Sequence, residues 1–426
     1  MYKIIDVEID GFWGKYRAFS EFKDDVNIII GKNGTGKTTF MNILNAVLAV
    51  DIVGLTENEF TSATIKLGFE GSIRTVKVTK SDDTPFQLAK YQIAQRRYLL
   101  PLVGTDEIRS ASLYRRRAAE AAITIKQELA GLVSLASLSV YRFRTTPDIE
   151  ASDRGLMRRV QGPVDMRLHE LMQGLTKYQL ELSQQAREIS ADLQREVLMS
   201  LLHKPDLEPN QAGFALNFDA NQERQNLISA YKQLGISGSS INKRINDHVS
   251  AIDNTVKEIK KYIRENPSPD KALDHFDFAP LEASKRAHRI FDMSLEAEAK
   301  TKDLFSQINL FLGIISDFID GKKFIFEGGN LTISEPRQLN VSKLSSGEKQ
   351  LLILFTEALL QREEPFIFLA DEPELSLHIA WQRKIIPAVK SLNQNAQVIV
   401  ATHSPEVASK YRDAILDMED ILHVNA

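Results

Sequence analysis

Short segments of alternating or continuous apolar side chains open the chain and predict strands. Residues 4–9 and 16–22 alternate apolar and polar positions around a turn at 11–14, and residues 26–30 form an apolar run. Alternation is typical of a strand with one buried face, and a short apolar run is typical of a strand buried on both faces. The beginning of the chain therefore predicts sheet structure.

A second group of strand signals follows the first predicted helix. Residues 63–69 and 73–79 form a predicted two-stranded pair. Residues 81–137 show no single period and combine prolines, an arginine cluster and a helix rich in Ala, Leu and Ile. Residues 138–142 then predict another buried strand.

From about residue 164 the apolar positions recur every three or four residues, which predicts long helices. This spacing is typical of helices that pack along a coiled-coil seam. The positions concerned are Leu168, Leu171, Leu175, Tyr178, Leu182, and then Ile245, Val249, Ile252, Val256, Ile259 and Ile263. A third apolar helix is predicted over 304–319. The helices form either a protruding arm or an ordinary bundle, and the periodicity leaves both open.

The last hundred residues return to strand signals. Residues 323–326 and 331–333 flank Gly328, Gly329 and Asn330, which predicts a hairpin. Two further apolar strands, at 366–370 and from Gln397 onward, complete the predicted sheet.

The apolar run at 26–30 ends in a glycine-rich loop with the pattern G-x-x-x-x-G-K-[ST]. Its residues are Gly31, Lys32, Asn33, Gly34, Thr35, Gly36, Lys37, Thr38 and Thr39. Glycines let backbone N–H groups approach phosphates, Lys37 adds a cation, and the Thr38 hydroxyl can ligate Mg²⁺. The following helix presents its N-terminal dipole to the same anion. Strand, loop and helix in this order predict a nucleoside triphosphate site.

Composition narrows the class of protein. The chain has 426 residues, a net charge of −4 and no cysteine. The slight acidity gives no global nucleic-acid signature, although local basic patches stay open. The lack of cysteine excludes disulfides and thiolate metal sites and favours a reducing cytoplasm. No apolar run approaches the roughly 20 residues that span a bilayer, and the N-terminus lacks a signal-peptide pattern. We expect a soluble cytoplasmic protein without a membrane partner.

Three further stretches carry residues that nucleotide chemistry requires. KLSSGEKQ, at 343–350, is a serine–glycine turn at a helix start, which is also an ordinary N-cap. In PFIFLADEPELSLH, Asp371 and Glu372 follow a buried strand, where one acid can hold Mg²⁺ and a second can orient the attacking water. In QVIVATHSP, another strand delivers His403 to the same sheet edge.

Together with the phosphate loop, these stretches resemble the ABC ATPase superfamily. The motifs SSGEKQ, DEPE-SLH and ATHSP most resemble those of the soluble branch of this superfamily, which contains the RecF, Rad50, SMC and OLD-like ATPases. The resemblance covers about residues 1–80 and 320–410. It implies an α/β fold, an ABC ATPase head with a mixed β-sheet core, an antiparallel β lobe and a helical or coiled-coil insertion. The expected division is 1–160 and 321–426 for the two halves of the head and 161–320 for the insertion.

The same resemblance implies ATP and Mg²⁺ as cofactors and assigns roles. The implied catalytic residues are Lys37, Glu372 as the base, and His403 at the γ-phosphate. The implied Mg²⁺ residues are Thr38, Asp371 and Gln161. The residues implied to reach the nucleotide of a second subunit are Ser345, Ser346, Gly347 and Glu348. Residues 375–378 would form the D-loop at the dimer interface, and an adenine contact is expected near Trp13–Arg17.

In that family the signature helix points away from the phosphate loop of its own subunit. The resemblance therefore implies a homodimer or higher homo-oligomer with ATP held between head-to-tail subunits. The loss of γ-phosphate contacts on hydrolysis would then switch the assembly.

The spacing of the motifs separates the branches of the family. Lys37 and Ser345 are 345 − 37 = 308 positions apart, more than in the compact heads of membrane transporters. The insertion is too short for the long coiled coils of SMC or Rad50. Only 426 − 403 = 23 residues follow His403, too few for the nuclease domain of OLD nucleases. The pattern resembles the ATPase subunits of two-component phage-defence systems such as PARIS or Septu. That resemblance implies a separate effector, a nuclease, and a phage protein as its trigger.

Two other functions stay open. A DNA-repair ATPase similar to RecF or Rad50 would bind DNA directly, and arginines could then contact phosphates. The arginines concerned are Arg96, Arg97, Arg109, Arg115, Arg116, Arg117, Arg158 and Arg159. A cluster of this kind also suits a solvated or partner-binding face. The third function is a scaffold without turnover, in which Glu372→Gln would have no effect.

Overall fold

A computed structural model describes residues 1–83, 86–102, 112–138, 163–200, 218–233, 238–265, 279–335, 339–374 and 378–424. The chain divides into two compact units, Met1–Gln179 with Gln307–Ala426, and Leu180–Ser306. Among the helices in these ranges, none combines the length and the apolar character needed to cross a membrane.

A five-stranded parallel sheet lies at the centre of the first unit. Its strands, in spatial order, are β14 (Ile415–Asp417), β3 (Val26–Ile30), β13 (Gln397–Ala401), β12 (Ile367–Asp371) and β8 (Leu135–Leu138). The three middle strands are buried almost throughout, which explains their continuous apolar runs. Because the strands are parallel, their carboxyl ends meet at one edge of the sheet. That edge receives the phosphate loop, the acidic pair and the histidine.

A seven-stranded antiparallel sheet completes the first unit. Its strands are β15 (Leu422–Val424), β2 (Tyr16–Glu21), β1 (Lys3–Phe12), β4 (Ser62–Phe69), β5 (Ser72–Asp83), β6 (Phe86–Ile93) and β7 (Arg96–Leu102). The predicted pair at 63–69 and 73–79 is confirmed as β4 and β5. A smaller three-stranded sheet consists of β9 (Lys323–Glu327), β10 (Asn330–Glu335) and β11 (Leu339–Asn340). The predicted hairpin is confirmed as β9 and β10.

The structure corrects the prediction between residues 81 and 142. The region in which no period was recognised contains β6 and β7. The strand predicted at 138–142 overlaps β8 (Leu135–Leu138) at Leu138. Residues 139–142 lie outside the described residues. β7 contains Pro101 and is the last strand of its sheet, where a missing N–H donor is tolerated.

The described chain also contains α-helices. They are α1 (Lys37–Ala49), α2 (Ile52–Glu57), α3 (Ser112–Ala130), α4 (Pro163–Ser200), α5 (Ala220–Gln233), α6 (Ser239–Glu265), α7 (Ala279–Leu304), α8 (Ser306–Phe318), α9 (Ser346–Leu360), α10 (Ile379–Gln382), α11 (Ile385–Leu392), α12 (Pro405–Ala408) and α13 (Met418–Ile421). The predicted apolar seams on α4 and α6 are buried, for example Leu175 and Val249. The helix expected over 304–319 is confirmed as α8, which begins at Ser306 because α7 ends at Leu304 and Phe305 separates the two helices.

The α/β class is therefore confirmed, with a parallel core, an antiparallel lobe and helices inserted between the phosphate loop and the SSGE turn. The second unit contains its own small apolar core, in which Leu227, Ile245, Val249 and Phe291 pack together.

Candidate nucleotide-binding site

The phosphate loop leaves the N-terminus of α1 open. Gly36 is the N-cap with φ = 98°, and no side chain caps the helix. A Cβ at this position would lie 3.0 Å from the rings of Phe12 and Trp13, so the conformation and the space both require glycine. The first turn of α1 contains no acidic residue. Its N–H groups and dipole are therefore available to an anion.

Lys37 is held inside this loop although it carries a charge. Its side chain is buried, and Nζ donates hydrogen bonds to the carbonyl oxygens of Gly31, at 2.8 Å, and Lys32, at 3.1 Å. Burial lowers the pKa of Lys37, while the carboxylates of Glu372 and Asp371 act in the opposite direction. The ammonium group is thus positioned at the loop before any phosphate arrives.

Asp371 ends β12 with a carboxylate that is buried and unsatisfied. Its exposed fraction is 3%, and neither oxygen completes a hydrogen bond with the described residues. Burial raises the pKa of Asp371 to about 6, although the nearby Thr38 hydroxyl favours the charged form. A buried carboxylate beside a threonine hydroxyl fits Mg²⁺, which takes one or two protein oxygens and completes its shell with water and phosphate.

Among the described residues, no set of three His, Cys, Asp or Glu side chains could hold a metal ion. The sequence-based candidate Gln161 lies outside the described residues. Thr38 and Asp371 are therefore the two sequence-predicted Mg²⁺ residues that the structure brings together.

Glu372 and His403 face each other across the carboxyl ends of β12 and β13. Glu372 has φ = 48°, an uncommon value for a residue with a side chain, and its N–H donates to the Ala401 carbonyl oxygen at 2.8 Å. His403 Nε2 lies 3.5 Å from Glu372 Oε1, and both side chains remain partly exposed. A carboxylate and an imidazole at this separation can together contact a water molecule and a phosphate oxygen.

Two acidic residues that the sequence did not indicate also reach the site. Glu374 is buried, and its Oε1 accepts a hydrogen bond from the Thr402 hydroxyl. Asp417 ends β14 next to the phosphate loop, where a Cβ on Gly31 would lie 3.7 Å from Asp417 Oδ1. Both carboxylates act to raise the pKa of Lys37. The sequence offered one signal for Glu374, because it is the second glutamate of the DEPE motif. No motif surrounds Asp417.

The SSGE turn forms the N-terminus of α9. Ser345 is the N-cap, and it exchanges hydrogen bonds with Glu348 in a capping box. Glu348 also pairs with Lys322, and together with Ser345 this lysine lowers the pKa of the Glu348 carboxyl against the effect of burial. Within the described residues, no hydrogen bond or ion pair joins this turn to the phosphate loop of the same chain. The two sequence-predicted motifs therefore share no hydrogen bond or ion pair among the described residues of one subunit.

Two ion pairs attach α9 to the first part of α4. Lys349 Nζ lies 2.7 Å from Asp165 Oδ1. Arg167 donates from Nε, at 2.9 Å, and Nη2, at 2.8 Å, to Oε1 of Glu357, a side chain that is only 2% exposed. The helix that begins with the SSGE turn is thus tied to α4 by charged groups.

Aromatic side chains also lie next to the phosphate loop, at Gly36. Trp13 has φ = 52° in the turn between β1 and β2, and its ring packs 5.0 Å from that of Phe12 and 6.5 Å from that of Tyr16. The adenine contact expected near these residues stays a prediction. Of the predicted D-loop, residues 375–377 lie outside the described residues, and His378 is exposed.

Comparison with known proteins identifies relatives. A family model described as "AAA domain, putative AbiEii toxin, Type IV TA system" matches residues 186–409, more than half of the chain. The Retron Ec83 probable ATPase of Escherichia coli is 38% identical over 80 residues, a match that covers 16% of this chain and 15% of that protein. The chain therefore shares only a small part of that relative's length.

Solved structures of SMC head domains are also similar. The Pyrococcus furiosus Smc head with an extended coiled coil, bound to the C-terminal domain of ScpA, is 14% identical, with a TM-score of 0.45 over 98% of this chain and 93% of that one. The Pyrococcus yayanosii Smc head with a coiled coil and joint is 17% identical, with a TM-score of 0.41 over 100% and 98%.

Proposed function

This chain belongs to that AAA-domain family, and from this membership and the site geometry we propose that it binds and hydrolyses ATP. One observation carries the proposal. The buried, unsatisfied Asp371 carboxylate lies at the strand edge that also presents Lys37 and the Glu372–His403 pair. Burying such a carboxylate is costly unless a cation compensates it, so the site fits a magnesium–nucleotide complex.

Each residue has a role that follows from its place. The Lys37 ammonium would exchange its two carbonyl partners for phosphate oxygens, and the N–H groups of α1 would bind the same phosphates. Thr38 and Asp371 would hold Mg²⁺, which supplies charge neutralisation between the phosphates when bound. Glu372 would orient the attacking water and accept its proton, and His403 would donate a hydrogen bond to the γ-phosphate.

We propose further that a second copy completes the site. The capped N-terminus of α9 has donors and a positive dipole, and its Glu348 charge is balanced by Lys322. Within the described residues, the turn makes no hydrogen bond or ion pair to the phosphate loop of its own chain. We propose that Ser345 and Gly347 reach the nucleotide on a partner subunit. ATP would then hold two heads together, and hydrolysis would release them.

The cellular role that we propose is the control of a separate effector in bacterial defence. The support comes from the names of the similar proteins, a retron ATPase and a family linked to a toxin–antitoxin system. Residues 161–320 would act as the helical insertion that the effector contacts, in a reducing cytoplasm compatible with a chain without cysteine. A nuclease is the effector that we propose to look for first.

The experiment is ATP turnover and nucleotide binding by the full chain with Mg²⁺, compared with Lys37→Ala. We expect turnover in the wild type and an ATP affinity weakened about 100-fold or more in the variant, because a charge-assisted contact to phosphate is lost. Lys323→Ala is the control, since this lysine is exposed and lies on β9 of the three-stranded sheet. Equal ATP affinity in Lys37→Ala and the control would refute the assignment.

A further inference from the structure

Glu374 makes an unusual set of contacts for a residue outside the predicted chemistry. Its side chain is 8% exposed, and one oxygen, Oε1, accepts from three donors. These are the Thr402 hydroxyl, the His403 backbone N–H at 3.2 Å and the Ser404 backbone N–H at 3.3 Å. A single carboxylate oxygen therefore holds the backbone on both sides of the His403 side chain.

The residues on either side of His403 have hydrogen bonds to other partners as well, whereas the His403 N–H bonds to Glu374. Thr402 N–H donates to the Ile29 carbonyl oxygen at 3.1 Å, on the strand that leads into the phosphate loop. Ser404 N–H also donates to Thr402 Oγ1 at 2.9 Å, and the Ser404 hydroxyl donates to Gln382 at 2.7 Å. The His403 N–H has Glu374 as its partner. Removing that carboxylate would thus free the residue whose imidazole faces Glu372.

The other oxygen of the Glu374 carboxylate makes the burial of this side chain unfavourable. Glu374 Oε2 is buried and has no hydrogen-bond partner among the described residues. Leaving such an atom buried and unsatisfied is unfavourable for folding. The strands β12 and β13 are already joined by their parallel ladder and by the bond from Glu372 N–H to Ala401. Holding the sheet together therefore does not account for the buried carboxylate.

We propose that Glu374 is a positioning residue, which fixes the His403 backbone so that the imidazole stays 3.5 Å from the Glu372 carboxylate during ATP hydrolysis. The proposal rests on the hydrolytic function proposed above. Glu374 would act through His403, because its hydrogen bonds go to the Thr402–Ser404 loop. Its loss should therefore affect the chemical step and leave ATP binding nearly unchanged.

The test compares Glu374→Ala with Glu374→Gln in the full chain. Glutamine keeps an acceptor oxygen for the Thr402–Ser404 donors, whereas alanine removes the acceptor. We expect kcat to fall about 10-fold or more in Glu374→Ala, with ATP affinity within about 3-fold of wild type, because misplaced catalytic groups lower kcat selectively. Glu374→Gln should restore kcat to within about 3-fold.

Asn393→Ala is the matched control. Asn393 is also fully buried, and its side chain holds loop backbone through the Glu364 carbonyl oxygen and the Asn395 N–H. It precedes β13, whereas His403 follows that strand. The control should lose thermal stability without a selective loss of kcat. Thr402→Val, which removes one donor to Glu374, is a second variant should Glu374→Ala not fold, and it should lower kcat with unchanged ATP affinity.

A readout independent of turnover separates this inference from the hydrolytic function. In histidine-labelled protein, the imidazole resonance of His403, assigned by its loss in His403→Gln, should shift or broaden in Glu374→Ala and return in Glu374→Gln. A wild type that does not hydrolyse ATP would refute the proposed function, and an unchanged resonance in Glu374→Ala would refute the positioning role. Equal kcat in Glu374→Ala and Asn393→Ala would also overturn it.

Discussion

His403 Nε2 lies 3.5 Å from Glu372 Oε1, although the two residues leave different strands. The parallel register of β12 and β13 sets this approach, since Asp371 is paired with Ala401. The left-handed backbone of Glu372 then turns the chain at the strand exit. The pairing of the two strands therefore brings Glu372 and His403 together. Substitutions at these residues test whether the pair takes part in ATP hydrolysis.

Replacing Glu372 by glutamine should separate ATP binding from ATP hydrolysis. The substitution keeps the shape of the side chain but removes its ability to accept a proton from water. We expect kcat to fall about 100-fold or more, while ATP affinity stays within about 3-fold of wild type. Steady-state turnover and a fluorescent-nucleotide titration measure the two quantities. Glu364→Gln, at an exposed position, is the control, and normal turnover by Glu372→Gln would remove Glu372 from its role.

Replacing Asp371 by asparagine should stabilise the nucleotide-free, Mg²⁺-free protein. The pKa of Asp371 is raised from 3.8 to about 6 by burial, so the folded protein binds this proton more tightly than the unfolded chain. Stability is therefore lost as the pH rises through this window, and the penalty is complete above about pH 6. At pH 7.5 we expect a gain of up to roughly 3 kcal/mol for Asp371→Asn.

The measurement is the free energy of unfolding in EDTA at pH 7.5 and at pH 4. The gain should shrink at the lower pH, where the wild-type carboxyl is protonated in the folded protein. Asp317→Asn, an exposed aspartate, should change stability little at either pH. A variant that is less stable than wild type at pH 7.5 would contradict the interpretation of Asp371 as an uncompensated buried charge.

Removing Arg167 should destabilise the contact between α4 and α9. Arg167→Ala leaves the Glu357 carboxylate buried without its cation, at a cost of about 3 kcal/mol. The double variant Arg167→Met with Glu357→Leu should recover most of this loss, because no charge is then left unpaired. Chemical denaturation measures both, and Arg116→Ala, from an exposed ion pair, should cost less than about 1 kcal/mol. A double variant as unstable as Arg167→Ala would show that packing, and not charge, holds these helices together.

The sequence predicted the parts of the fold and site that depend on short segments. Apolar runs that end in Gly31, Asp371 or His403 indicate strands followed by polar exits, and the parallel sheet then brings these exits together. The phosphate loop and the SSGE turn are local patterns as well. Their roles in chemistry stay predictions, whereas their positions are now observed.

The remaining features depend on contacts between distant residues, which a single sequence does not display. Glu374 meets Thr402 across 28 positions, and Arg167 meets Glu357 across 190. Two arginines of the cluster form ion pairs, Arg96 with Glu128 on α3 and Arg116 with Glu120, while Arg109, Arg158 and Arg159 lie outside the described residues. The spacing of four positions between Arg116 and Glu120 is a local signal on α3, whereas the sequence does not show that Arg96 meets Glu128 across 32 positions. The strand β7 was missed because Pro101 argues against a strand unless its position at a sheet edge is known.

The central claim is that each subunit completes the nucleotide site of its neighbour, and mixing two inactive variants tests it most directly. Lys37→Ala lacks the phosphate-binding cation, and Ser345→Arg blocks the turn at the start of α9. In a mixed dimer one of the two composite sites is intact, so an equimolar mixture after subunit exchange should regain about one quarter of wild-type ATPase activity. A mixture no more active than either variant alone, with wild-type turnover per subunit unchanged on dilution, would contradict the claim.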